Sequence, residues 1–71
     1  MTVNNIKVER ARIRMTQAEL AEALGVSQAS IVTWEQDCRS CSTAKFVDMC
    51  NIFNVSLDYL YGLTDRRERN L

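Results

Sequence analysis

Read at 100° per residue, the segment Gln28-Ala29-Ser30-Ile31-Val32-Thr33-Trp34 places Gln28, Ala29, Val32 and Thr33 on one side of a helix, with Ile31 and Trp34 on the other. The first set offers a carboxamide able to bond adenine at two points, a hydroxyl, and small apolar groups suited to the thymine methyl. That is chemistry for reading base-pair edges, and it carries no formal charge. On an isolated helix the same residues would be ordinary exposed polar side chains. What separates the two readings is how the helix is set up by its surroundings.

A second cluster could do different chemistry. Cys38 and Cys41 form a C-x-x-C pair, with Cys50 further on. Three thiols leave a tetrahedral metal site one ligand short, which Asp37 or Asp48 would have to supply, while Cys50 also fits a small apolar position in a helical pattern. A labile Cys38–Cys41 disulfide is the other alternative. The expectation is that no metal and no cofactor is bound. The sequence has no histidine, no glycine-rich phosphate loop and no nucleophile–base set, so an enzyme acting on a small-molecule substrate is not expected.

The elements that must position Gln28 and Thr33 are marked by their ends. With no proline and only Gly25 and Gly62, and without two-residue alternation, the chain reads as all-α. Candidate N-caps at Asn4 or Asn5, Thr16, Ser27, Ser42 and Ser56 predict five short helices near 5–14, 17–24, 28–35, 43–53 and 57–61. Thr16-Gln17-Ala18-Glu19 fits a capping box, and Gly25 sits where a left-handed residue can end the second helix. Only Val26 and Ser27 then precede the third, with Val26 placed to staple onto Ile31. Helix, short glycine turn and helix form the pattern that sets its second helix in the DNA major groove.

Composition bounds this reading. The 71 residues suffice for one domain, and the expectation is a single domain with a core at about 5–62 and a polar tail from 63 to 71, without a ligand-sensing domain. No apolar run approaches the roughly 18–20 residues that cross a bilayer. The start lacks a secretory signal, so the expected location is the cytoplasm, with thiols reduced. Nine basic residues balance nine acidic ones, which withholds the basic surplus usual for nucleic-acid binding unless the seven arginines gather on one side.

The stretch Met15-Thr-Gln-Ala-Glu-Leu-Ala-Glu-Ala-Leu-Gly-Val-Ser-Gln-Ala-Ser-Ile-Val-Thr-Trp-Glu, with Phe46 to Phe53 and Asn54-Val-Ser-Leu-Asp-Tyr-Leu-Tyr-Gly, resembles the Cro and phage-repressor type helix-turn-helix family. The resemblance covers about residues 5–62 and implies a compact five-helix, lambda-repressor-like fold. It places base contacts on Gln28, Ala29 and Thr33, and phosphate contacts near Gln17, Ser27 and Arg39. It implies a transcriptional repressor that binds double-stranded DNA as a homodimer. The chain departs from the pattern at Gln36 to Cys41, where Asp37 replaces a common glycine, and at Asn54, which tolerates the left-handed conformation a glycine would adopt.

Arg10 lies on the inward stripe of the first helix between Ile6 and Ile13, and the resemblance points to Glu35 as the ion-pair partner it would need. Lys7, Arg12 and Arg14 either approach phosphates or are solvated; Arg14 is carried as a phosphate candidate. Leu57 and Leu60 are expected in the core, with Tyr59 and Leu63 more exposed and available to a two-fold interface. Net neutrality sustains one alternative, a protein-interaction module of the same fold, antitoxin-like or a phage partner protein.

Overall fold

The computed structural model describes residues 4–68. Five helices follow one another: α1 (Ile6–Arg12), α2 (Gln17–Leu24), α3 (Gln28–Gln36), α4 (Thr43–Phe53) and α5 (Leu57–Tyr61), with a 3₁₀ turn at Cys38–Ser40 between α3 and α4. No strand occurs among the described residues.

Each helix begins where a short polar side chain replaces a missing carbonyl partner. Thr16 and Glu19 close a capping box, with Thr16 Oγ1 accepting from the Glu19 amide at 3.0 Å and Glu19 Oε1 from the Thr16 amide at 2.8 Å. Ser27, Ser42 and Ser56 accept from the amides of Ser30, Lys45 and Tyr59. At α1 the side chain of Asn5 makes no cap bond, and Asn4 Oδ1 accepts the Ile6 amide at 3.1 Å instead.

Four helices end in one way. Arg14, Gly25, Asn54 and Gly62 are left-handed, with φ of 57°, 71°, 55° and 93°. The next amide in each case reaches back five residues: Met15 to Arg10, Val26 to Ala21, Val55 to Cys50 and Leu63 to Asp58, at 2.9–3.1 Å. Only α3 stops differently. Asp37 is extended (φ −155°, ψ 105°), so no left-handed residue is needed there, and its side chain caps the 3₁₀ turn.

The core gathers Ile6, Leu20, Ala21, Leu24, Ile31, Phe46, Met49, Phe53, Val55, Tyr59 and Leu60, with Cys38 and Cys50 packed among them as small apolar groups. Several expectations are corrected. α1 is shorter than 5–14, and α3 runs one residue further than 35. Ile13 is 38% exposed, while its neighbour across the stripe, Glu9, is 1% exposed. Leu57 is 47% exposed and Tyr59 only 6%, the reverse of the expected order. The segment from Thr64 to Glu68 is largely exposed yet tied back: Ser56 N donates to Arg67 O at 3.1 Å, and Arg67 pairs with Glu9. Arg69 to Leu71 of the tail lie outside the described residues. No helix is long and apolar enough to cross a membrane among the described residues.

Candidate nucleic-acid interface

Ile31 fixes the roll of α3. It is fully buried and Trp34 is partly buried against the core, which turns Gln28, Ala29, Val32 and Thr33 outward. All four are exposed. Thr33 Oγ1 donates to the Ala29 carbonyl at 3.1 Å, which holds its hydroxyl in one orientation with lone pairs facing out. Gly25 supplies the left-handed turn ahead of α3, and a Cβ there would meet nothing within 4 Å, so backbone conformation alone requires glycine.

The far end of α3 is held from α1. Asn4 Nδ2 donates to the carbonyls of Trp34 and Glu35 at 3.0 and 3.3 Å, satisfying acceptors that a helix end leaves open. Arg10 Nε donates to Glu35 Oε2 at 2.7 Å, with side-chain exposures of 15% and 8%, and Arg10 Nη1 donates to the Met15 carbonyl at 2.9 Å. One guanidinium therefore joins α1, the entry to α2 and the end of α3.

The same network reaches the outward face of α3. Gln17 Nε2 donates to Glu35 Oε1 at 3.1 Å, and its Oε1 accepts from Gln28 Nε2 at 3.4 Å. The second bond is long, so Gln28 is oriented and remains able to exchange partners. Gln17, at the first turn of α2, and Ser27, whose hydroxyl caps α3, stand beside helix N-termini that attract anions.

Much of the positive charge is engaged within the chain. Arg12 pairs with Glu9 at 2.8 Å, Arg39 with Asp37 at 2.6 Å, and Arg67 with Glu9 at 2.8 Å. Hydrogen bonds from Arg39, side chain first and then backbone, hold the Asp37 carboxyl down at about 2. Lys45 Nζ donates to the Leu24 carbonyl at 2.6 Å, capping the end of α2 close to the turn. Arg14 is exposed at the joint between α1 and α2, on a left-handed backbone.

Neither Cys38 nor Cys41 shows a sign of activation. Burial pushes both Cys38 and Cys41 upward, Cys41 to about 11. Among the described residues no group of three cysteine or acidic side chains could hold a metal ion.

Sequence reasoning missed Glu9, Tyr59 and Arg67. The carboxylate of Glu9, 1% exposed, accepts from Arg67, Arg12 and the Tyr59 hydroxyl. Hydrogen bonds from Arg67 hold it at about 2 against the opposing effect of burial, with Arg12 and Tyr59 assisting. Burial and the adjacent Glu9 push the Tyr59 phenol up.

Two capped helices joined through Gly25-Val26-Ser27, the second anchored on one side and open on the other, define a helix-turn-helix domain. The chain belongs to the Cro and phage-repressor type helix-turn-helix family, whose helix-turn-helix model matches residues 6–60. Its relatives include the HTH-type transcriptional regulator ImmR of Bacillus subtilis (strain 168), 32% identical over 65 residues, covering 92% of this chain and 51% of ImmR. An uncharacterized HTH-type transcriptional regulator of the same organism, YobD, is 29% identical over 65 residues, covering 92% of this chain and 58% of its own length. A second, YqaE, is 32% identical over 60 residues, with 84% and 52% covered. The chain thus spans about half the length of the curated relatives it matches.

Proposed function

We propose that the chain is a sequence-specific DNA-binding transcriptional regulator that lays α3 in the major groove, and that it acts as a repressor. The observation that carries this reading is the open face of α3: Gln28, Ala29, Val32 and Thr33 stand exposed on a helix whose opposite side is locked by Ile31. Gln28 reads adenine, Thr33 and the small apolar Ala29 and Val32 read neighbouring edges, and Gln17, Ser27, Arg14 and Arg39 position the phosphates. The names of the relatives support regulation of transcription rather than catalysis.

A homodimer on a pseudo-palindromic operator would need its two α3 helices about 34 Å apart, the spacing of successive major grooves. With Tyr59 buried, the apolar surface available for pairing near α5 is Leu57, 47% exposed, and Leu63, 74% exposed.

Selection of bound duplexes from a random pool, followed by a salt series on the winner, tests the reading. An enriched inverted repeat is expected, with Gln28→Ala losing about 1–3 kcal/mol of discrimination per base pair read. Absence of any enriched sequence would overturn it in favour of a protein-interaction module of the same fold. Net neutrality, with four arginines in internal pairs, is the observation on that side.

A further inference from the structure

The segment after α5 does more than leave the domain. Leu63 N donates to Asp58 O at 2.9 Å and Arg66 N to Thr64 Oγ1 at 3.2 Å, which bends the chain back toward the start of α5. There Ser56 N donates to the main-chain carbonyl of Arg67. The Arg67 side chain meets the Glu9 carboxylate at two points, Nε to Oε2 at 3.0 Å and Nη2 to Oε1 at 2.8 Å. It also lies 6.0 Å from the centre of the Tyr59 ring, whose hydroxyl donates to the same Oε2 at 2.9 Å. Main chain and side chain of one arginine are therefore both recognised, by Glu9 of α1, Tyr59 of α5 and the Ser56 cap before α5.

We propose that Glu9, Tyr59 and the Ser56 amide form an arginine-binding socket, and that seating Arg67 in it fixes α1 and, through α1, the C-terminal end of α3. α1 has seven residues, too few to be stable alone. It carries Glu9 and, on the next residue, Arg10, whose partner Glu35 lies in the last turn of α3; just before its first turn stands Asn4, which caps that same turn. With the socket empty, a carboxylate 1% exposed keeps only Arg12 and Tyr59, and α1 loses its two-point tie to the segment after α5. Any shift of α1 displaces Asn4 and Arg10 together. The socket acts by positioning: Arg67 touches no residue of the reading face.

Amide hydrogen exchange on the full chain tests the coupling without DNA. In Arg67→Ala, exchange should quicken at least tenfold in α1 and at Glu35 and Gln36, while Met49 in α4 changes less than twofold. Glu9→Gln should reproduce the pattern and Arg67→Lys should restore part of it, since an ammonium keeps charge but loses the two-point fit. Equal acceleration in α4 would reduce Arg67 to general stability and overturn the proposal, as would acceleration confined to α1, or none. The consequence for DNA rests on the function proposed above: Arg67→Ala should weaken operator binding about threefold or more at a temperature where it is fully folded. If exchange responds and affinity does not, the link to the reading face is refuted; if Gln28→Ala also binds unchanged, the DNA reading has failed and the exchange pattern alone judges the socket.

Discussion

Asp37 and Arg39 hold each other at two points in the turn that follows α3, with Nη2 to Oδ2 at 2.6 Å and Nε to Oδ1 at 2.9 Å. The pair is exposed, so it contributes little to stability, but it occupies the guanidinium proposed above to meet a phosphate.

Releasing that arginine should strengthen binding. In Asp37→Asn, operator affinity should rise a few-fold at low salt, and the slope of log affinity against log salt should steepen by about 0.9, the value of one added phosphate contact. Fluorescence anisotropy across a salt series reads both. An unchanged slope would mean that Arg39 points away from the duplex.

The Arg10–Glu35 pair should matter to the folded state. Glu35→Ala strands a guanidinium that is 15% exposed and removes the acceptor used by Gln17, so a loss of about 2–4 kcal/mol is expected in urea denaturation. The double variant Arg10→Met with Glu35→Leu should recover much of it, because no buried charge remains. A loss below about 0.5 kcal/mol in the single variant would show the pair to be effectively solvated.

Acid should act through Glu9. Its carboxyl is held at about 2 in the folded chain and returns to about 4.5 when unfolded, so its stabilisation is complete above pH 4.5 and is lost as pH falls toward 2. Allowing for the partial exposure of Arg67 and Arg12, the loss is about 2 kcal/mol. Glu9→Gln should be less stable at pH 7 and should show a flatter decline between pH 4.5 and 2. Parallel curves for the two proteins would contradict the assignment.

Left-handed positions give a pair of opposed expectations. Arg14→Gly relieves a non-glycine residue at φ 57° and should raise stability by about 0.5–1 kcal/mol; Gly25→Ala forces a side chain to φ 71° and should lower it by about 1 kcal/mol. Thermal unfolding measures both. If Arg14 also meets a phosphate, Arg14→Gly will be more stable and yet bind DNA less tightly.

The helix boundaries were legible because caps are local: Thr16 with Glu19, Ser27, Ser42 and Ser56 each act within three residues, and α2, α4 and α5 fall on their expected spans. The outward side of α3 followed from Ile31 and Trp34. α5 was misjudged because five residues make little more than one turn, too short for periodicity to tell Leu57 from Tyr59. Glu9 was invisible for a different reason. Its partners Tyr59 and Arg67 lie 50 and 58 residues away, and no spacing rule joins a charged position in the first helix to an arginine in a polar tail. The 3₁₀ turn likewise depends on Asp37 serving as a cap rather than as a left-handed stop.

The engagement of four arginines with carboxylates on their own chain also bears on kinetics. A chain of zero net charge with these four arginines paired should gain little long-range attraction to a polyanion, so encounter should proceed nearer the unsteered rate of about 10⁵–10⁶ M⁻¹s⁻¹ than the 10⁸ or more open to strongly charged partners. Discrimination between one sequence and another would then rest on how slowly the matched complex comes apart.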